Sequence, residues 1–120
     1  MEDMSKTEDL VLETARFLDE HKGDNTVALY IGDASSFTDY FVITTVGSLG
    51  HLKGLFRQLK QFLSEKNIEQ IHGQRKFAED GWILIDCGFV VIHLMDEDLR
   101  SFYELERLWY KGRRIYPERS

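Results

Sequence analysis

Cysteine is almost absent: Cys87 stands alone among 120 residues. An internal disulfide is therefore excluded, and a reducing compartment is the natural setting. Long apolar runs are missing too. None approaches the roughly 20 residues that a membrane-spanning helix needs, so no membrane partner is expected. The N-terminal stretch is polar and acidic, unlike a secretion signal, and a cytoplasmic location is the expectation. There is no internal repeat, no low-complexity tract and no linker. An excess of positive charge is also lacking: 15 Lys and Arg stand against 21 Asp and Glu, a formal net charge of -6. A domain that gripped phosphate backbones would need the opposite sign, so free nucleic acid is not the expected partner. A basic protein suits this charge better, because complementary fields speed encounter.

What is present suffices for one domain with one core. The most informative stretch is 82–109. It opens with two apolar, β-branched runs of hairpin length, separated by Cys87-Gly88, where Gly88 can take the positive φ of a tight turn. Trp82, Leu84 and Asp86 share one face of the first run, and Ile83 and Ile85 the other. In the second run Val90, Ile92 and Leu94 alternate with Val91, His93 and Met95. Both faces are largely apolar, which predicts a sheet covered on both sides. Asp96, Glu97 and Asp98 then supply a cap and two anions for a helix N-terminus. Leu99, Phe102, Leu105 and Trp109 recur at helical spacing and are expected to face the core.

Upstream, a helical stripe runs through Leu10, Val11, Ala15, Phe17 and Leu18 behind a capping-box spacing at Ser5 and Glu8, with Gly23 placed just past its end. Strands are predicted over 26–31 and 38–46. Ser48 can cap a helix whose apolar positions, Leu49, Leu52, Leu55, Phe56, Leu59, Phe62 and Leu63, step by three and four. Asn67 marks its stop, 68–72 reads as a short edge strand, and 73–81 as a loop. The expectation is an α/β domain over 1–112, a mixed sheet of about five strands with helices packed on it. Residues 113–120 are expected to be a flexible tail.

Four short motifs, in this order, resemble one known family: Ser36-Phe37-Thr38-Asp39-Tyr40-Phe41-Val42-Ile43-Thr44-Thr45, then Ser48-x-x-His51, then Asp86-x-Gly88-x-Val90-Val91-Ile92-His93, then Arg100 with 103–109. The family is that of the ribosomal silencing factors, also called Iojap proteins, and the resemblance spans roughly 8–110. It implies a nucleotidyltransferase-like fold without enzymatic activity. It implies binding to the large ribosomal subunit through ribosomal protein L-fourteen, blocking the small subunit from joining and repressing translation. It leaves room for a homodimer away from the ribosome. The matching positions for the partner surface are Trp82, Asp86, His93, Met95, Arg100, Tyr103 and Glu106, with Tyr40 nearby. The chain departs from the family's pattern at Val46, at Arg75-Lys76 and at Phe89.

Two other functions stay open on the residues. A divergent nucleotidyltransferase would use Gly47-Ser48 with Asp39 or Asp86, but the carboxylate pair expected soon after Ser48 is missing: no acid follows until Glu65. A small RNA-binding module would use Lys53, Arg57 and Lys60. His51, His93 and Cys87 have no metal-ligand spacing. No catalytic residue, metal or cofactor is expected.

Overall fold

Seven consecutive residues with no exposed side chain, Tyr40–Val46, form the central strand, and their alternation builds both faces of the domain. The computed structural model describes residues 4–33, 35, 38–71, 73–77, 81–108 and 112–117. In chain order the elements are α1 (Met4–Glu20), β1 (Asp24–Tyr30), β2 (Tyr40–Val46), α2 (Leu49–Glu65), β3 (Gly73–Phe77), β4 (Trp82–Asp86), β5 (Val90–Asp96), α3 (Glu97–Tyr103), α4 (Leu105–Leu108) and β6 (Arg113–Tyr116). The sheet order is β3-β4-β5-β2-β1-β6. Among the described residues β2 and β5 run parallel, and the other neighbouring pairs are antiparallel.

One face carries the larger core. Tyr40, Val42 and Val46 of β2, Ile92 and Leu94 of β5, and Ile83 and Ile85 of β4 meet Val11, Ala15 and Leu18 of α1 and Leu52, Leu55, Leu59 and Leu63 of α2. Helix α2 begins where the sequence places it. The Ser48 hydroxyl accepts the His51 N–H at 3.0 Å, and Asn67, at φ 60°, turns the chain beyond its end. Gly23 is needed for closeness rather than for a turn. A Cβ there would lie 2.4 Å from Thr44 Oγ1 and 2.8 Å from the Leu18 carbonyl, while Lys22 takes the left-handed conformation.

The opposite face carries a smaller core of Val27, Leu29, Ile31, Phe41, Ile43, Val91 and Met95, reached by Leu105 and rimmed by the half-buried Trp82, Leu84 and Leu99. Between the two faces runs the β4–β5 hairpin. Gly88 has φ 90°, and its N–H is accepted by Asp86 Oδ1 at 2.9 Å.

Three expectations fail. The edge strand expected over 68–72 does not form in 68–71, residue 72 lying outside the described residues; the edge is β3, inside the stretch read as a loop. Its Arg75 and Lys76 hid it, although charge is what an edge strand tolerates. The tail reading fails for 113–116: β6 pairs with β1 as a sixth strand, Ile115 is buried, and the Tyr116 hydroxyl donates to Asp19 on α1. The single helix through 96–109 is broken at Glu104, which sits in the left-handed region at φ 48°.

Candidate partner surface

The break at Glu104 follows from where Arg100 points. Arg100 is only 7% exposed, the inward residue of α3 despite its charge. One guanidinium nitrogen donates to the Asn25 carbonyl at 2.7 Å and to Thr45 Oγ1 at 2.9 Å. The other pairs with Glu106 Oε2 at 2.7 Å, and Nε reaches Oε1 at 3.4 Å. Asn25 is itself in the left-handed region, at φ 51°, where the β1–β2 register shifts. In an unbroken helix, residues six apart lie about 120° apart around the axis, too far to pair. Breaking the helix brings Glu106 back to Arg100 and leaves Leu105 buried.

An inward Arg100 turns Phe102, about 200° around the helix, to the outside. Phe102 is 77% exposed and Tyr103 45%. The core assignment of Phe102 is thereby corrected, and that of Trp109 lies outside the described residues. Periodicity favoured the wrong side because the most inward residue of α3 is charged. Phe102 is the candidate surface residue that the sequence missed, and only the burial of Arg100 could have revealed it.

The exposed rings continue into the sheet. Phe102 and Tyr103 meet edge to face with centroids 5.0 Å apart, and Tyr103 lies 5.1 Å from Trp82. The Trp82 indole N–H donates to His93 Nδ1 at 3.2 Å. The segment 96–107 carries five acids, Asp96, Glu97, Asp98, Glu104 and Glu106, against Arg100 and Arg107; Glu106 pairs with Arg100 and Glu104 with Arg107. Half of the net charge of -6 therefore falls within 96–107.

His93 and Met95 are buried on the same face, at 3% and 0% exposure, so they support this surface from beneath rather than present themselves. Tyr40 is not nearby. It points to the opposite face, where its hydroxyl donates to Glu8 Oε1 at 3.0 Å. Asp86 sits at the other end of β4 from Trp82, paired with Val91, and serves the hairpin turn. Of the eight residues named from the sequence, Trp82, Arg100, Tyr103 and Glu106 cluster at one end, over His93 and Met95. Tyr40 and Asp86 stand apart from them.

The parts of a nucleotidyltransferase site are not brought together. Gly47-Ser48 follows the last residue of β2, whereas Asp39 and Asp86 lie at the level of its first. Six strand residues separate the two levels, about 20 Å. The Gly47 N–H is also taken, donating to His51 Nδ1 at 3.2 Å. Cys87 is buried, which pushes its thiol up to about 11 and keeps it un-ionised. Among the described residues no three His, Cys, Asp or Glu side chains cluster to hold a metal. No helix among them is long and apolar enough to cross a membrane. Lys53, Arg57 and Lys60 are exposed on α2, with Lys60 over the Phe56 ring.

Burial pushes the His93 pKa down to about 3. The unfolded chain, with an ordinary value of about 6.5, takes up the proton first as pH falls. The stability held by the neutral ring is complete above about pH 6.5 and drains away toward pH 3. By about pH 5 the loss should reach roughly 2 kcal/mol. Urea denaturation of the protein and of His93→Asn at neutral pH and at about pH 5 measures this. The variant should lose less, and an equal loss in both would contradict the assignment.

The model of the family described as "Ribosomal silencing factor during starvation" matches residues 4–120. The chain is 34% identical over 91 residues to the ribosomal silencing factor of Bacillus subtilis, covering 76% of each chain. It is 38% identical over 76 residues to the mouse protein called mitochondrial assembly of ribosomal large subunit protein 1, covering 61% of this chain and 33% of that one. A crystal structure of a Chromobacterium violaceum protein superposes with a TM-score of 0.76 at 25% identity, covering 90% of this chain and 87% of that one.

Proposed function

The chain belongs to the ribosomal silencing factor family, and from that premise we propose that it represses translation by docking on the large ribosomal subunit through ribosomal protein L-fourteen. Its bulk then keeps the small subunit from joining. The observation that carries this reading is the exposed run Phe102–Tyr103 beside Trp82, on a segment, 96–107, of net acidic charge. Exposed aromatics at the end of a sheet make rigid anchors, and the flanking carboxylates attract a basic ribosomal protein. Occlusion requires affinity and no bond-making. Trp82 and Tyr103 are the contacting residues in this reading, joined by Phe102. Arg100 and Glu106 hold α3 and α4 in place behind them. A bacterial cytoplasm is the setting.

Sedimentation through sucrose gradients with each purified subunit tests the proposal. The protein should travel with large subunits and not with small ones, and raising salt should weaken the association. Co-migration with neither subunit, or with the small one alone, would remove the proposal.

A further inference from the structure

Resting on the partner surface just described, we propose that His93 is a positioning residue for it: Nδ1 accepts the Trp82 indole N–H and so fixes the ring on which Tyr103 rests. The two residues lie on neighbouring strands. Trp82 pairs with Met95 and His93 with Leu84, so Trp82 and His93 are diagonal neighbours on one face, within reach of a large aromatic side chain. An indole N–H only donates, so His93 Nδ1 must accept, and the ring carries its proton on Nε2. Burial lowers the imidazole pKa, so the ring is neutral and the acceptor available at physiological pH. Phe41 meets the imidazole edge to face at 4.7 Å and 64° and limits its tilt.

His93 Nε2 is buried with no hydrogen-bond partner among the described residues. An orphaned donor of this kind weakens a fold, and a leucine would fill the same volume without it. The asymmetry between the two ring nitrogens points to Nδ1 as the useful one. Without that acceptor the indole of the half-buried Trp82 can turn its N–H to water, and Tyr103, 5.1 Å away, loses its backing. His93 itself, 3% exposed, touches no partner.

Three substitutions separate positioning from packing. His93→Leu keeps the bulk and removes the acceptor. His93→Asn keeps an acceptor where Nδ1 stood. Trp82→Phe keeps a ring and removes the donor. Heteronuclear NMR reads the Trp82 indole N–H, identified by its loss in Trp82→Phe, and affinity for purified large subunits is measured alongside. His93→Leu should shift that resonance, speed its exchange with solvent and weaken binding about fivefold, the scale of one hydrogen bond. His93→Asn should restore most of both. In the Trp82→Phe background His93→Leu should cost no further affinity. An unmoved indole resonance in His93→Leu overturns the proposal, as does a loss in His93→Asn equal to that in His93→Leu. A loss that persists in the Trp82→Phe background shows a purely structural role and overturns it too. If His93→Leu does not fold, the unsubstituted protein decides: nitrogen shifts must place the imidazole proton on Nε2, and a proton on Nδ1 refutes the bond. Failure of the unsubstituted protein to bind large subunits removes the partner reading, and the indole and imidazole resonances still decide the role of His93.

Discussion

Arg100→Ala should cost the fold about 3 kcal/mol, the low end for breaking a buried charge pair. In a chain of this size that lowers Tm by about 12 °C. The side chain is buried, and its guanidinium bridges three segments: the Asn25 carbonyl on β1, Thr45 on β2 and Glu106 on α4. Truncation leaves the carbonyl and the hydroxyl facing a gap and releases α4 from the sheet. Glu106→Ala should cost less. The Glu106 side chain is 35% exposed, so part of its charge is already met by water, and Arg100 would keep its bonds to Asn25 and Thr45. Thermal unfolding of both variants measures the order. If Arg100→Ala unfolds within about 0.5 kcal/mol of the unsubstituted protein, as harmless surface changes do, while subunit binding falls, Arg100 is a contact residue and not a clamp.

That clamp marks the limit of what local sequence conveys here. Helix α2 was legible because its apolar positions all step to one side and Ser48 caps it. The hairpin was legible because Gly88 sits where only a positive φ closes the turn. These features depend on neighbours a few residues away. Strand β6 depends on β1, more than eighty residues earlier, and four residues beginning with two arginines carry no period of their own. Strand β3 is likewise fixed by its pairing with β4 rather than by composition. The break at Glu104 is the extreme case. Glutamate has no preference for the left-handed region, and it is held there by its own N–H bonding to the Arg100 carbonyl and by the ion pair that follows. The same logic applies to the candidate surface. Trp82 and Tyr103 were identified, and both lie at the rim of the smaller core or outside it. Tyr40 and Asp86 were grouped with them by motif order, which does not record that alternate residues of β2 face opposite ways or that β4 has two ends.

Phe102 gives the sharpest test of that surface, because its two roles predict opposite results. As a buried residue, its truncation would cost on the order of 3–5 kcal/mol of stability. At 77% exposure it has little burial to lose, so Phe102→Ala should unfold within about 0.5 kcal/mol of the unsubstituted protein. As an anchor, it should lose about 2 kcal/mol of affinity for the large subunit on truncation, roughly thirtyfold. Tyr103→Ala should lose a similar amount. Its stability should fall by about 1 kcal/mol, because its ring packs on Trp82 and only part of it is open to water. The two rings touch, with centroids 5.0 Å apart, so the double variant should lose less than the sum of the two single losses. Stability and large-subunit affinity measured together on the three variants decide the matter. A large drop in Tm for Phe102→Ala with unchanged affinity would turn α3 over and take the aromatic surface with it. Unchanged affinity in all three, with the stability of Phe102→Ala also unchanged, would leave Phe102 on the outside of α3 and move the docking face elsewhere on the domain.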